Sequence, residues 1–431
     1  MGSAGLIAAV ALPLLVAPQT APRGGEPQDQ GPRGTPQADR IYGRVLTDDG
    51  EVLEGYLRWD RNEGSWADFL DGAKELPWEH LREAERLDED YARRRALERS
   101  ITVGGLRISW DEDPEDEMQT SASGVRFGHL RSLVAIDERR ARLLLKSGRE
   151  LDLVREGTDL GRSFRGLAVD LPAGEPVELR WRDLDRVDFA AVPAGAPAPA
   201  ASRLHGTLRT GGGLELTGFV AWDLDEILTS DVLDGEATGQ DYSIPFARIA
   251  AVHRESRSAA RVILTNGEEL VLRDTNDVDA TNRGIEISDA SLGRALVDWD
   301  DFETVRFHPP AGSLAAYDAF DGGRALRGTV ETRNGDVLVG EIRWDNDEAF
   351  TWETLDGVSH GVAFAVELGN VRSIVRAAER RVEVTLHDGR VLDLAGSSDV
   401  DSENRGIFVT PEGGWTALVR WRDLHSLIIE P

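Results

Sequence analysis

The chain reads as an all-β protein in which one unit is written out three times. Three observations carry that reading. First, YGRVLTDDGEVLEGYLRWDRNE (42–63), HGTLRTGGGLELTGFVAWDLDE (205–226) and RGTVETRNGDVLVGEIRWDNDE (327–348) each read as a strand, a Gly turn and a longer alternating strand ending in Trp-Asp-x-x-Glu. Second, ARLLLKSGRELDLV (141–154), ARVILTNGEELVL (260–272) and VEVTLHDGRVLDL (382–394) alternate apolar residues on both sides of Ser-Gly, Asn-Gly or Asp-Gly, the strongest short-range hairpin signal. Third, the interval from Gly166 to Trp181, Gly284 to Trp299 and Gly406 to Trp421 is 15 residues each time, and eight more reach Phe189, Phe307 and Ile429. Such a stretch has accepted no change of loop length, as a small closed β-unit requires.

In chain order, MGSAGLIAAVALPLLVAPQTA (1–21) carries a 12-residue apolar run, Leu6 to Ala17. That is short for a membrane span and suits the h-region of a signal peptide, with a truncated gene start or an uncleaved anchor as alternatives. Residues 22–40, rich in Pro, Gly and Gln, read as a disordered tether. The first repeat spans 41–189, the second 204–307 and the third 326–430. The Pro/Gly/Ala-rich stretches 190–203 and 308–325 read as spacers between them.

The first repeat is the longest, because an insertion of about 79–124 interrupts it. Its start, EHLREAERLDEDYARRRALER (79–99), is helical in pattern, with Leu81, Ala84, Leu87 and Tyr91 on one face. A strand over 100–110 and an acidic loop, DEDPEDE (111–117), follow. Such an insertion either carries a specific function or covers an exposed sheet edge.

Strand, Gly turn, strand with a central Gly, further strands and a short segment of the SIPFARIAAV type (243–252) form an order that resembles the five-stranded barrels of the Sm-like and SH3-like class. The resemblance implies six small barrels in three pairs. Gly218 and Gly340 would sit where the second strand bends between two half-sheets. It stops at the fold, because the RNA-binding residues of Sm proteins are not recognisable here.

Composition narrows function by exclusion. With 49 basic and 78 acidic residues the net charge is −29, which repels a phosphate backbone and argues against nucleic acid. The cations are almost all Arg; Lys74 and Lys146 are the only lysines. Without Cys there are no disulfides, thiolate nucleophiles, zinc–sulfur sites or lipid-bearing Cys. The eight His show no metal-ligand spacing, and no nucleophile elbow, phosphate loop or dinucleotide fingerprint occurs.

One motif invites a metal. DVDATNRGIEI (277–287) returns as DVDSENRGIFV (399–409), offering Asp277, Asp279 and Asn282, then Asp399, Asp401 and Asn404, as oxygen ligands for calcium. The first repeat has DLGRSFRGLAV (159–169) instead, so what recurs three times is Asp159, Asp277 and Asp399, each six residues before Arg165, Arg283 and Arg405, and then Gly. That pattern also describes a turn in which Asp accepts backbone N–H groups, Gly takes a positive φ and Arg pairs with the Asp. The recurring Trp of both series reads as structural. The non-recurring Trp78, Trp110 and Trp415 are candidate contact residues, and Trp66 and Trp352 fit either role.

The expectation is an exported, non-catalytic scaffold or binding protein, periplasmic or extracellular, whose partner is a protein or an envelope polymer. No transmembrane span is expected in the mature chain. A carbohydrate-binding or hydrolytic envelope protein and a calcium-dependent assembly module are the alternatives.

Overall fold

Alternating apolar residues on either side of tight turns make hairpins, and hairpins account for nearly everything in this computed structural model. It describes residues 37–88 and 120–431, and between them only the backbone of the short strands Thr102–Val103 and Leu106–Arg107. The expected signal peptide, most of the tether, the acidic loop 111–117 and Trp110 lie outside the described residues. So do most of the proposed helix beyond Asp88 and the expected strand over 100–110, apart from those short strands.

The protein is all-β, with two large antiparallel sheets and one α-helix among the described residues. The expected turn glycines deliver the hairpins: Gly148, Gly267 and Gly389 sit at φ +88°, +86° and +93° between strands that pair over five residues each. The strand Val52–Trp59 is shared. Its first half pairs with Tyr42–Thr47 and its second half with Leu167–Asp170. Glu215–Ala221 and Val337–Arg343 divide in the same way. Gly55, Gly218 and Gly340 stand at the changeover. A Cβ there would meet the carbonyl oxygen of Asp170, Ser288 or Thr410 at 2.2, 2.4 or 2.3 Å, so only glycine lets the strands approach.

The strands do not close into the expected five-stranded barrels. The ten strands of 42–189 form one sheet, and the twenty strands of 205–429 form a single continuous sheet, with no closed barrel among the described residues. The twenty-stranded sheet is joined at Gly293–Val297, whose residues 293–296 pair antiparallel with 363–366 of Val362–Glu367. The strand edge at 293–296 is satisfied by residues 363–366, so the backbone ladder joins the segments on either side of the stretch read as a spacer.

That stretch is packed as well. Tyr317 and Phe320 are buried in the hydrophobic core of the first repeat, together with Trp352 of the third. Tyr317 Oη donates to the Leu130 carbonyl at 2.7 Å, and Lys146 Nζ donates to the carbonyls of Tyr317 and Phe320 at 2.7 and 2.5 Å. Burying each such ring contributes about 1.5–3 kcal/mol, so 308–325 is a structural strap.

The helix Trp78–Leu87 follows the expected face: Ala84 is buried against Phe408, with Leu87 and Leu418 beside them. Glu83 pairs with Arg343 at 2.9 Å, fixing the helix to the third repeat. No helix among the described residues is long and apolar enough to cross a membrane.

Candidate functional site

The two recurring motifs turn out to be one constellation. Trp59 and Glu63 exchange both backbone hydrogen bonds, at 2.9 and 3.0 Å, and so do Trp222 with Glu226 and Trp344 with Glu348. The turn between them needs two left-handed residues: φ is 42° and 72° at Asp60 and Arg61, 47° and 65° at Asp223 and Leu224, and 46° and 68° at Asp345 and Asn346. Asp and Asn tolerate this conformation best.

Each Asp of that turn is fully buried and accepts the backbone N–H and guanidinium of the Arg that precedes the motif Gly. Arg165 Nε donates to Asp60 at 2.9 Å, Arg283 Nη2 to Asp223 at 2.8 Å and Arg405 Nη2 to Asp345 at 2.9 Å. The sequence pattern paired these arginines with Asp159, Asp277 and Asp399. Those carboxylates are occupied otherwise, accepting the N–H of Asp71, Asp234 and Asp356 at 2.7, 2.6 and 2.7 Å. Their carbonyls receive the indole N–H of Trp59, Trp222 and Trp344, at 3.0 Å each time. The second Trp series, Trp181, Trp299 and Trp421, is buried as well.

The candidate calcium ligands are not drawn together. Asp279 Oδ1 accepts from Thr281 and Asn282 Oδ1 from the Gly284 N–H; Asp401 Oδ1 accepts from the Glu403 N–H and Asn404 Oδ1 from the Gly406 N–H. They serve their own turns. Asp277 instead joins Asp223 and Glu226, where one oxygen from each lies within 4.8 Å of the others. That is a donor set suited to a hard cation, but Arg283 already supplies a positive charge to Asp223. Asp399 lines a different feature, the cleft described next.

Crowded buried carboxylates resist ionisation. Burial, with repulsion from Asp225, Asp277 and Asp223, pushes the Glu226 carboxyl up to about 9. Burial and neighbouring Asp carboxylates hold Glu63 and Glu348 well above the carboxylate range. Asp277 is raised to about 6 and Asp345 to about 7, with burial the main cause in both.

A cleft of about 420 Å³ is lined by residues of three segments, 71–123, 224–296 and 347–405. The first contributes Asp71 and Lys74 from the strand Phe69–Glu75; the second Glu286 and Arg294; the third Asp347 and Asp356, among others. All sit on or beside paired strands, so the walls are rigid. Arg294 grips Asp71 with two bonds of 2.6 and 2.8 Å. Lys74 Nζ reaches Glu353 at 2.5 Å and the Asp347 carbonyl at 2.7 Å, and Arg405 pairs with Asp347 at 2.6 Å. Ser121 Oγ donates to Asp347 Oδ2 at 2.6 Å.

The sequence did contain a signal for this cleft that motif reading passed over. Leu-Asp-Gly recurs at 70–72, 233–235 and 355–357, and two of its three aspartates, Asp71 and Asp356, line the cleft. Two of the three candidate contact tryptophans can be placed: Trp78, stacked under Arg82 at 4.6 Å, is 58% exposed, and Trp415 is 85% exposed. Neither lines the cleft. Trp66 and Trp352 are core residues.

Compared with known proteins, the chain matches no family model, no curated protein and no solved structure.

Proposed function

We propose that this chain is an exported, non-catalytic binding and scaffold protein, a tandem repeat of β-sheet modules whose ligand site is the cleft at their junction. The carrying observation is that all three repeats supply charged side chains to that one cleft from rigid strands, the arrangement a small-molecule site favours. A hydrolytic role has less support. Among the described residues no tryptophan on which a sugar ring could stack lines the cleft, and the Asp71 and Asp399 carboxylates are tied to Arg294 and to the Asp356 N–H. The test is twofold. Small polar compounds that raise the melting temperature of the wild-type protein should lose that effect in Asp356→Asn. Release of reducing ends or peptides from an envelope polymer, abolished by the same substitution, would overturn the non-catalytic reading.

A second reading, calcium-dependent assembly, is supported by the approach of Asp223, Glu226 and Asp277. It expects EDTA to lower the melting temperature, and Asp277→Ala combined with Asp399→Ala to remove that shift. A melting temperature indifferent to EDTA ends it.

A further inference from the structure

The junction cleft holds a charge imbalance that folding does not use. Among the described residues, eight carboxylates and four cationic side chains line it. The four cations are committed: Lys74 to Glu353, Arg294 to Asp71, Arg283 to Asp223 and Asp225, and Arg405 to Asp345 and Asp347. Three carboxylate oxygens of the lining residues, Asp347 Oδ1, Glu348 Oε2 and Asp356 Oδ1, have no hydrogen-bond donor among the described residues. Asp347 and Glu348 are nevertheless each only 7% exposed. The one donor open to that pair is a proton of its own, which when carried by Glu348 bonds to Asp347. Leaving such oxygens bare costs about 1–3 kcal/mol each, more when charged.

Between Ser and Thr side chains the wall carries an apolar strip, Leu224, Leu296 and Phe364, facing the same space. A neutral sugar brings no positive charge against which the Asp347–Glu348 pair could ionise, and an anion would be repelled. A single metal ion needs its oxygens gathered around one point. Among the described residues only Asp223, Glu226 and Asp277 are so gathered, and these three are not among the lining residues. Spread carboxylates beside an apolar strip instead match charge spread along a chain.

We propose that the cleft binds a small linear organic cation carrying two or more amines, its alkyl segment on Leu224, Leu296 and Phe364 and its ammonium groups on the Asp347–Glu348 pair and Asp356. This rests on reading the cleft as a ligand site. Binding exchanges one cation for another: the ammonium N–H groups donate to Asp347 Oδ1 and Glu348 Oε2, and the proton of Glu348 leaves to solvent. No covalent bond forms. The groups that face Glu348 and set this exchange are Asp347, Asp399 and Lys74, with Arg405 paired to Asp347 Oδ2.

The experiment is titration calorimetry of the full chain with 1,6-diaminohexane, in two buffers of different ionisation enthalpy at one pH. The neutral 1,6-hexanediol serves as the control of equal length. Saturable diamine binding with proton release to the buffer is expected. Glu348→Gln, which mimics the protonated side chain and should melt no lower than wild type, is expected to abolish the release and weaken the diamine about tenfold, the equivalent of roughly 1.4 kcal/mol. Asp356→Asn should weaken it without removing the release. A diamine that binds no better than the diol, or equally well to Glu348→Gln, overturns the inference. If the diol or a neutral sugar binds and Asp356→Asn abolishes that binding while the diamine fails, the cleft remains a ligand site and only the cationic class falls. Proton release produced by calcium chloride and not by the diamine replaces the amine with a metal. If no compound binds, the site reading falls too.

Discussion

Segments 204–307 and 326–430 meet through backbone, the strand residues 293–296 laddered against 363–366, whereas segment 41–189 reaches both of them and the stretches between through side chains. Three acids at equivalent places show how. Asp68, Asp231 and Glu353 each accept two backbone N–H groups of their own repeat, from residues 64–65, 227–228 and 349–350. Each also accepts a cation from a distant segment: Arg203, at the end of the 190–203 stretch, for Asp68, Arg58 for Asp231, and Lys74 for Glu353. Arg126 adds a pair with Glu367 at 2.6 Å. A backbone ladder depends on shape and tolerates any side chain that leaves the strands close. A seam of buried charge depends on exact partners, because each survivor of a broken pair stays buried alone.

Substitutions should separate the two seams. The largest effect is expected for Lys74→Met, which strands a buried Glu353: about 3–5 kcal/mol lost in chemical denaturation. Arg58→Met, whose pair with Asp231 is partly solvated, should cost about 1 kcal/mol or less. If the two cost the same, burial is not what gives the charged seam its strength. Gly293→Ala attacks the other seam. Gly293 sits at φ +139° and a Cβ there would meet the Ala365 carbonyl oxygen at 2.0 Å, so about 2–3 kcal/mol should be lost. High salt should leave that loss unchanged, since no charge is involved.

Smaller and opposite in sign is Glu226→Gln. Glu226 rises from an ordinary 4.5 to about 9 in the folded chain, so the unfolded chain ionises first and stability falls as pH climbs between those values. The amide copies the protonated acid and should raise the melting temperature at pH 8, on the order of 2 °C, with the gain gone near pH 4. A gain that persists at pH 4 would mean a packing effect. Trp415→Ala should change stability by less than about 0.5 kcal/mol, since the ring is 85% exposed.

What the sequence made legible was local. Alternation around Ser-Gly, Asn-Gly and Asp-Gly gave the hairpins, the central glycines gave the crossing strands, and the face of Ala84 and Leu87 gave the helix its seat. What was hidden depends on contacts between distant segments. Nothing about Gly293 announces that a strand some 70 residues later will lie against it. The Pro- and Gly-rich composition of 308–325 disguised Tyr317 and Phe320 as part of a spacer, although large rings in such a stretch are reason to look for a core. The Asp…Arg-Gly motif was visible while its partner was not, because Asp60, Asp223 and Asp345 lie 105, 60 and 60 residues from the arginines they hold. The cleft was least legible, since each wall belongs to a different repeat and only the thrice-written Leu-Asp-Gly hinted at it.

The scarcity of lysine has a practical consequence. Apart from the α-amino group, the chain's primary amines are Lys74 and Lys146, and both are engaged at contacts the first repeat makes with the rest of the chain. An acylating reagent should therefore modify the native protein slowly, and its rate at each lysine should report how often the adjoining contact opens. The molecule carries two internal gauges of its own breathing, readable by mass spectrometry without any added label.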